Sequence, residues 1–419
     1  MNTGLRALST MTFRTTFARR SCLPVRLAQR QVATQPLFET QKVKYWKQLK
    51  EEQGGDYKNR TVSTSQLLTA LRDLQSYRSL TPNKSTFPDY RAGLRAVFLL
   101  AGSDPAARPT LTVGDLENVL STENGVSWRV IHDILKYGLV PQLEELTEEM
   151  RATVAFNRVH AIGNIYAKTF AKNGARTFED LINSTGDEYG KKVSKAQKLA
   201  LKYHHEMEIM IPRQEVDKFD MLIKDALNKA DPTIKYEIMG SYRRGEETSS
   251  DIDMVVWHDS LKRRDPDAKV RKGNPAPDSI MGRVLNAMFS AGLFSSDKMF
   301  ATGEKKVWGL SRLPGDPKAL HRQVDVRLCP TESLPYMLLG NTGDNDLMRF
   351  LRYKAEEKDL LLNEYGMGQR VSISNQVHFK PGTEIIVQTE KEIFDKLELP
   401  YLEPHQRSYK VWKNILPRY

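Results

Sequence analysis

Two aspartates one residue apart, Asp251 and Asp253, stand directly before the run Met254-Val255-Val256-Trp257. That run is apolar and β-branched, so the aspartates open a strand. Residues i and i+2 of a strand share a face, and both carboxylates therefore aim at one point. Two like charges held so close favour divalent cations between them. Just upstream, Gly240-Ser241-Tyr242-Arg243-Arg244-Gly245 supplies a tight turn whose backbone N–H groups and hydroxyl can hold a phosphate. A phosphate cradle beside metal-binding carboxylates is the equipment of nucleotidyl transfer.

A third carboxylate follows in Arg322-Gln323-Val324-Asp325-Val326-Arg327-Leu328, which alternates as a half-buried strand does. If this strand lies beside 252–258, Asp325 joins the pair. Two metal ions on the three aspartates could then clamp the attacking and leaving oxygens of an in-line displacement. Asp325 would be the base that takes the proton of the incoming hydroxyl. The competing reading is a structural surface pair of Asp325 with Arg327.

A chain of 419 residues suits two to four domains. Residues 39–62 read as a polar linker, broken at Gln53-Gly54-Gly55-Asp56. Helical periodicity, clearest at Trp128, Ile131, Ile134 and Leu135, marks an all-α domain over 63–147. A second helical block fills 148–211. There Val159-His160-Ala161-Ile162-Gly163-Asn164 has the form of a helix-hairpin-helix turn, with Gly163 opening the second helix. Such a turn presents backbone groups to a DNA phosphate, often through a monovalent ion, although an ordinary helix connection fits equally well. A helix at 213–230 and strands at 235–239, 252–258, 305–311 and 323–329 make 212–331 a mixed block, and 332–419 again combines helix and strand. Residues 259–278, with six basic and four acidic residues, read as a surface loop.

The net charge of +11 is unevenly spread. Six arginines (Arg6, Arg14, Arg19, Arg20, Arg26, Arg30) precede the first acid, Glu39, and removing them leaves +5 for the remainder. The first 38 residues, rich in Arg, Ser and Thr and free of acids, have the composition of a mitochondrial presequence. A basic arm gripping nucleic acid is the alternative. No apolar run approaches the roughly 18 residues of a membrane span. Two cysteines, Cys22 and Cys329, provide neither a disulfide framework nor a metal site.

Taken together, Gly240 to Gly245, the Asp251/Asp253 pair and Val324-Asp325-Val326-Arg327 resemble DNA polymerase beta of the X family. Agreement continues through Gly303-Glu304-Lys305-Lys306, Thr342-Gly343, Asn363-Glu364-Tyr365 and Glu403-Pro404-His405-Gln406-Arg407-Ser408. It covers 150–419 well and 64–149 weakly. With the arginine-rich start, the chain looks most like the mitochondrial beta-type polymerases of kinetoplastid protozoa. The resemblance implies an α+β multidomain fold. A helical lyase-like domain and a helix-hairpin-helix subdomain would precede a nucleotidyltransferase palm and a small C-terminal nucleotide-selection subdomain. It implies a monomeric, template-directed polymerase that fills gapped or nicked double-stranded DNA from dNTPs in the mitochondrial matrix. Two Mg²⁺ or Mn²⁺ ions would serve it, with DNA ligase as a pathway partner. A template-independent nucleotidyltransferase and a non-catalytic gap-binding scaffold are the rival readings.

The resemblance also distributes roles. Gly240, Ser241, Arg244, Ser250, Gly340, Asn341 and Gly343 would bind the nucleotide. Asn157, Val159, Ile162 and Gly163 would meet DNA with a Na⁺ or K⁺ ion, alongside Lys306, Arg322 and Arg352. Arg327, Glu364 and Tyr365 would form a switch that reorganises as the C-terminal subdomain closes. Departures are informative. Gly340-Asn341 stands where the beta members carry a Tyr-Phe pair, and glycine there would relax crowding against a ribose 2′-OH. Val130 and Val126 occupy the places of the lyase nucleophile and its backup. Either the 5′-deoxyribose-phosphate lyase is lost, or another lysine such as Lys84 or Lys136 serves.

Overall fold

The computed structural model describes residues 45–81, 89–102, 105–120, 125–262, 273–373 and 376–416. The expected presequence, Lys84 and half of the loop at 259–278 lie outside these residues.

The N-terminal domain contains α1 (Tyr45–Gln53), β1 (Thr61–Ser63), α2 (Thr64–Leu80), α3 (Arg91–Ala101), β2 (Thr110–Thr112), α4 (Val113–Val119) and α5 (Gly125–Tyr137). Its core gathers Leu67, Leu71, Val97, Leu111, Trp128 and Ile131. Local capping sets its boundaries: Ser63 accepts the Gln66 N–H at the start of α2, and Thr112 with Asp115 forms a capping box at α4. The linker expected over 39–62 is a correction. From Tyr45 onward the chain is folded, and Leu49, at 0 % exposure, joins Tyr57 and Val62 in the domain core. The segment is polar on average, yet Tyr45, Trp46 and Leu49 recur at helical spacing and turn one face inward. Nor is the domain all-α, because β1 and β2 pair antiparallel, with Val62 opposite Leu111.

Next come α6 (Pro141–Glu144), α7 (Glu148–Arg158), α8 (Asn164–Lys172), α9 (Phe178–Asn183) and α10 (Lys195–Met207). Their core, centred on Phe156, Phe170 and Ala200, takes in Phe300 and Leu310 from the following domain. Polar contacts tie the block back to α2. Arg158 bonds Asp73 at 2.7 Å and Glu208 at 2.6 Å, Arg72 reaches Glu208 at 3.1 Å, and Ser76 donates to the Val154 carbonyl.

The central domain runs through β3 (Ile211–Pro212), α11 (Arg213–Ala230), β4 (Lys235–Ile238), α12 (Gly240–Arg243), β5 (Thr248–Ser249), β6 (Ile252–Trp257), α13 (Ile280–Ser290), β7 (Met299–Thr302), β8 (Lys306–Ser311) and β9 (Arg322–Cys329). Five strands form one mixed sheet in the order β4-β6-β9-β8-β7, in which only β6 and β9 run parallel. Ile252, Met254 and Val256 on β6, with Val324 and Val326 on β9, pack against Phe219, Ile223, Val284 and Met288 of α11 and α13. Strand alternation therefore sends Asp253 and Asp325 to the other face.

The C-terminal domain holds α14 (Leu334–Thr342), α15 (Asn345–Glu357), the antiparallel strands β10 (Leu360–Asn363), β11 (Gly366–Ile373) and β12 (Gln376–Phe379), then α16 (Glu390–Lys396) and α17 (Tyr409–Trp412). Leu347, Phe350, Leu351, Phe394 and Trp412 fill its core. The expected α+β multidomain class holds. Among the described residues, no helix is long and apolar enough to cross a membrane.

If Leu49 is a core residue, Leu49→Ala lowers stability by about 2–5 kcal/mol. Equilibrium denaturation measures it, and a change near zero would return 45–62 to the status of a linker.

Candidate active site

Asp253 is the second residue of β6, and the parallel register sets it directly across from Asp325 on β9. Asp251 stands just before the strand, and its carboxylate accepts the Ser250 hydroxyl at 2.8 Å. Three acids thus share one face of the sheet. Burial pushes the Asp253 carboxyl up to about 7; Asp251 and Asp325 add to the rise, while Arg327 and Lys306 oppose it. Burial also raises Asp251, an effect reinforced by Asp325 and partly offset by the Ser250 hydrogen bond. These are carboxylates short of positive charge.

Asp325 is placed differently. Lys306 Nζ lies 2.6 Å from its Oδ2, and Arg327 Nη2 lies 3.6 Å from the same atom. Its Oδ1 is buried with no hydrogen-bond partner. The pair with Arg327 exists, but Asp325 is buried rather than at the surface. Among the described residues, no three His, Cys, Asp or Glu side chains stand close enough together to hold a metal ion as they are placed. The three expected ligands are neighbours without being converged.

The turn ahead of β6 is built for close approach. Gly240 has φ 62°, and a Cβ on it would stand 3.1 Å from Asp253 Oδ2. A larger residue would strain the backbone and crowd the carboxylate. Ser241 Oγ donates to Ser249 Oγ at 2.8 Å. The two arginines diverge. Arg243 donates to Glu237 (2.7 Å), to the Thr342 hydroxyl (2.5 Å) and to both oxygens of Glu390 (3.0 and 2.8 Å). Glu390 also accepts from Arg407, which is 0 % exposed. Burial would lift the Glu390 carboxyl, but the two guanidiniums outweigh it and hold the group below its usual range. Arg244 donates to the Thr342 carbonyl at 2.6 Å, and its Nε is buried with no partner. Gly343, at φ 71°, ends α14 beside it. Both arginines of the turn therefore grip the end of α14 and join the central to the C-terminal domain.

Other expected residues fall in several places. The Asn157 amide donates to Ser76 and Ser79 of α2. Val159 and Ile162 are buried, and the Ile162 N–H closes the hairpin onto the Val159 carbonyl at 3.1 Å. Gly163 is exposed at the start of α8, and Arg352 is exposed on α15. Arg322 is a correction. It is 4 % exposed and forks onto Glu215 at 2.7 and 2.8 Å, so its guanidinium fastens β9 to α11 instead of facing DNA. Lys306 is turned to Asp325. The ion pair of Arg327 likewise runs to Asp325, and among the described residues none joins it to Glu364. A Cβ on Gly340 would stand 3.3 Å from the Glu364 Cβ, so glycine there also admits the close packing of α14 on that turn. The Asn341 amide donates back to the Met337 carbonyl within α14. Tyr365 is 45 % exposed.

Two features escaped sequence reasoning, and a third observation bears on an expectation already drawn from sequence. One is the buried set Arg243–Glu390–Arg407, whose members are far apart in the chain. Another is His160, which packs on Trp308 (4.7 Å between ring centres) and Phe300 (5.7 Å). Burial lowers its imidazole, opposed by the charges of Asp251 and Asp325 and reinforced by that of Lys306. Its position between Val159 and Ala161 was the only available signal. The third concerns the lyase. Val130 is buried in the core. Lys136 donates to both Glu52 oxygens at 3.2 Å, and although burial lowers its pKa, that acid raises it overall. A Schiff-base lysine needs the opposite.

This palm-like sheet and turn have known counterparts. Residues 210–331 match the DNA polymerase beta palm, and residues 337–408 match the DNA polymerase beta thumb. The central and C-terminal domains are therefore of the DNA polymerase beta palm and thumb type. Over 289 residues, 66% of the chain, it is 31% identical to DNA polymerase lambda of Arabidopsis thaliana, covering 51% of that protein. Over 283 residues, 67% of the chain, it is 24% identical to DNA polymerase lambda of Rattus norvegicus, covering 46% of it. It is also 24% identical over 314 residues, 67% of the chain, to DNA-directed DNA/RNA polymerase mu of Homo sapiens, covering 58% of it. The chain spans about half the length of these relatives.

The carboxyl of Asp253 lies above its unfolded value of 3.8, at about 7, so the folded state holds an extra proton between those limits. Its contribution to stability is therefore present at low pH and lost as pH rises through the folded pKa. Asp253→Asn should stabilise the metal-free protein by on the order of 3 kcal/mol at about pH 8 and hardly at all at about pH 4. Denaturation at both pH values measures it; equal effects would contradict the assignment.

Proposed function

We propose that the chain is a template-directed DNA polymerase that fills short gaps from dNTPs. The observation that carries this reading is the β6–β9 register, which sets Asp253 against Asp325 beside the Gly240–Arg244 turn. The buried, partnerless Asp325 Oδ1 and the raised Asp251 and Asp253 carboxyls fit a cationic partner. Asp251, Asp253 and Asp325 would hold two Mg²⁺ or Mn²⁺ ions, whose charge stabilises an in-line phosphoryl displacement. Arg244, Ser241 and the backbone of the turn hold the triphosphate of the incoming nucleotide, with Ser250, Asn341 and Gly343 close by. Asp325 accepts the proton of the primer 3′-hydroxyl. The exposed start of α8 at Gly163 faces a DNA phosphate, with a Na⁺ or K⁺ ion on the hairpin carbonyls, and Arg352 reaches the duplex.

The finer reading is that of a monomeric mitochondrial beta-type enzyme, as in kinetoplastid protozoa, acting in base-excision repair or fragment joining ahead of a DNA ligase. The acid-free, arginine-rich first 38 residues support it. Buried Val130 and the Glu52-held Lys136 support loss of the lyase.

One substrate tests most of this: a duplex with a single-nucleotide gap and a 5′-deoxyribose phosphate. The native chain should extend the primer only with a template and form no borohydride-trapped adduct. Asp325→Ala should lower extension at least about 1,000-fold while gap binding persists. Extension that survives this change sinks the metal assignment, a trapped adduct sinks the lyase loss, and beta-like exclusion of rGTP opposite C sinks the role of Gly340 at the sugar. A reporter fused to residues 1–38 should enter mitochondria, and one that stays in the cytosol removes the presequence reading.

A further inference from the structure

Lys306 and Asp325 meet across two strands. The β8–β9 register pairs Lys306 with Arg327 and Trp308 with Asp325, so all four side chains share a face and the lysine reaches diagonally to the acid. Both cations converge on Oδ2, at 2.6 and 3.6 Å, and leave Oδ1 buried and unpaired. Asp251 and Asp253 have no ion pair among the described residues. The lysine side chain is 44 % exposed and the Asp325 side chain 9 %, so the ammonium can swing into solvent while the carboxylate stays in place.

We propose that Lys306 is an internal counter-cation of Asp325, one that a divalent ion must displace before Asp325 can join Asp251 and Asp253. The proposal rests on the metal-dependent polymerase reading above. An ammonium held on Oδ2 opposes a divalent ion at the free Oδ1 of the same small carboxylate, because their repulsion is twice that of two unit charges at the same distance. Release of Lys306 needs another anion, and a primer phosphate entering the same face supplies one. Lys306 then exchanges Asp325 for DNA, which reconciles its place here with the DNA contact expected from sequence. The consequence is an order of assembly. Without DNA the protein takes a divalent ion on Asp251 and Asp253, and Asp325 becomes available only when the primer is seated.

The test is Mn²⁺ binding to the full, DNA-free chain, followed by electron paramagnetic resonance of the free ion. Lys306→Met should tighten Mn²⁺ binding about five- to tenfold, since the competing cation is gone. Lys306→Arg, which keeps the charge, should match the native chain. In an Asp325→Asn background, adding Lys306→Met should change nothing. Unchanged binding in Lys306→Met overturns the proposal, as does a gain that persists in the Asp325→Asn background. Thermal melts confirm that the variants are folded. Primer extension that survives Asp325→Ala would overturn the polymerase metal site itself, whatever the Mn²⁺ titrations give.

Discussion

The pairing of β6 with β9 governs the chemistry of this protein. It is the one parallel pair in an otherwise antiparallel sheet, and its register brings Asp253 level with Asp325. A shift of β6 by one residue would turn Asp253 toward α11 and α13, away from Asp325, and drive Met254 out of the core. The burial of Ile252, Met254, Val256, Val324 and Val326 thus fixes the site as firmly as it fixes the fold. Holding three carboxylates on one buried face is costly without cations. The structure partly meets that cost with Lys306 and Arg327, and only at Asp325.

A second constraint joins domains. Arg243 and Arg244, adjacent in one short turn, reach Glu390 and Thr342 across the boundary, and Arg407 closes the set from full burial. An unpaired guanidinium there would be severely penalised, so the turn and the end of α14 keep their relative places. The Gly240–Arg244 turn is thereby mechanically continuous with the C-terminal domain. The N-terminal domain is anchored in the same manner through Arg72, Asp73, Arg158 and Glu208.

Much of the fold was readable because strong periodicities reported it. The helix at 213–230 and the strand opening at Ile252 appear where expected, and the strand expected over 323–329 begins one residue earlier, at Arg322. The segment from Tyr45 to Val62 was misread because its polar average hid three apolar residues at helical spacing. Arg322 was misread because a basic residue beside an active-site strand suggests DNA. Its charge is instead consumed by Glu215, more than a hundred residues away in sequence. Nothing local could have signalled that pairing.

By itself the sequence determined the acids, the turn and the strands that carry them, since each depends on spacing within a few residues. Why glycine must stand at 240 came only with the fold, where the chain takes a positive φ against the Asp253 carboxylate. Tertiary structure decided which cation answers which acid. Lys306 on Asp325, Arg243 on Glu390, Arg322 on Glu215 and Lys136 on Glu52 are choices made by packing. Charge pairing acts through space and takes no account of sequence distance, so only the folded chain could settle it.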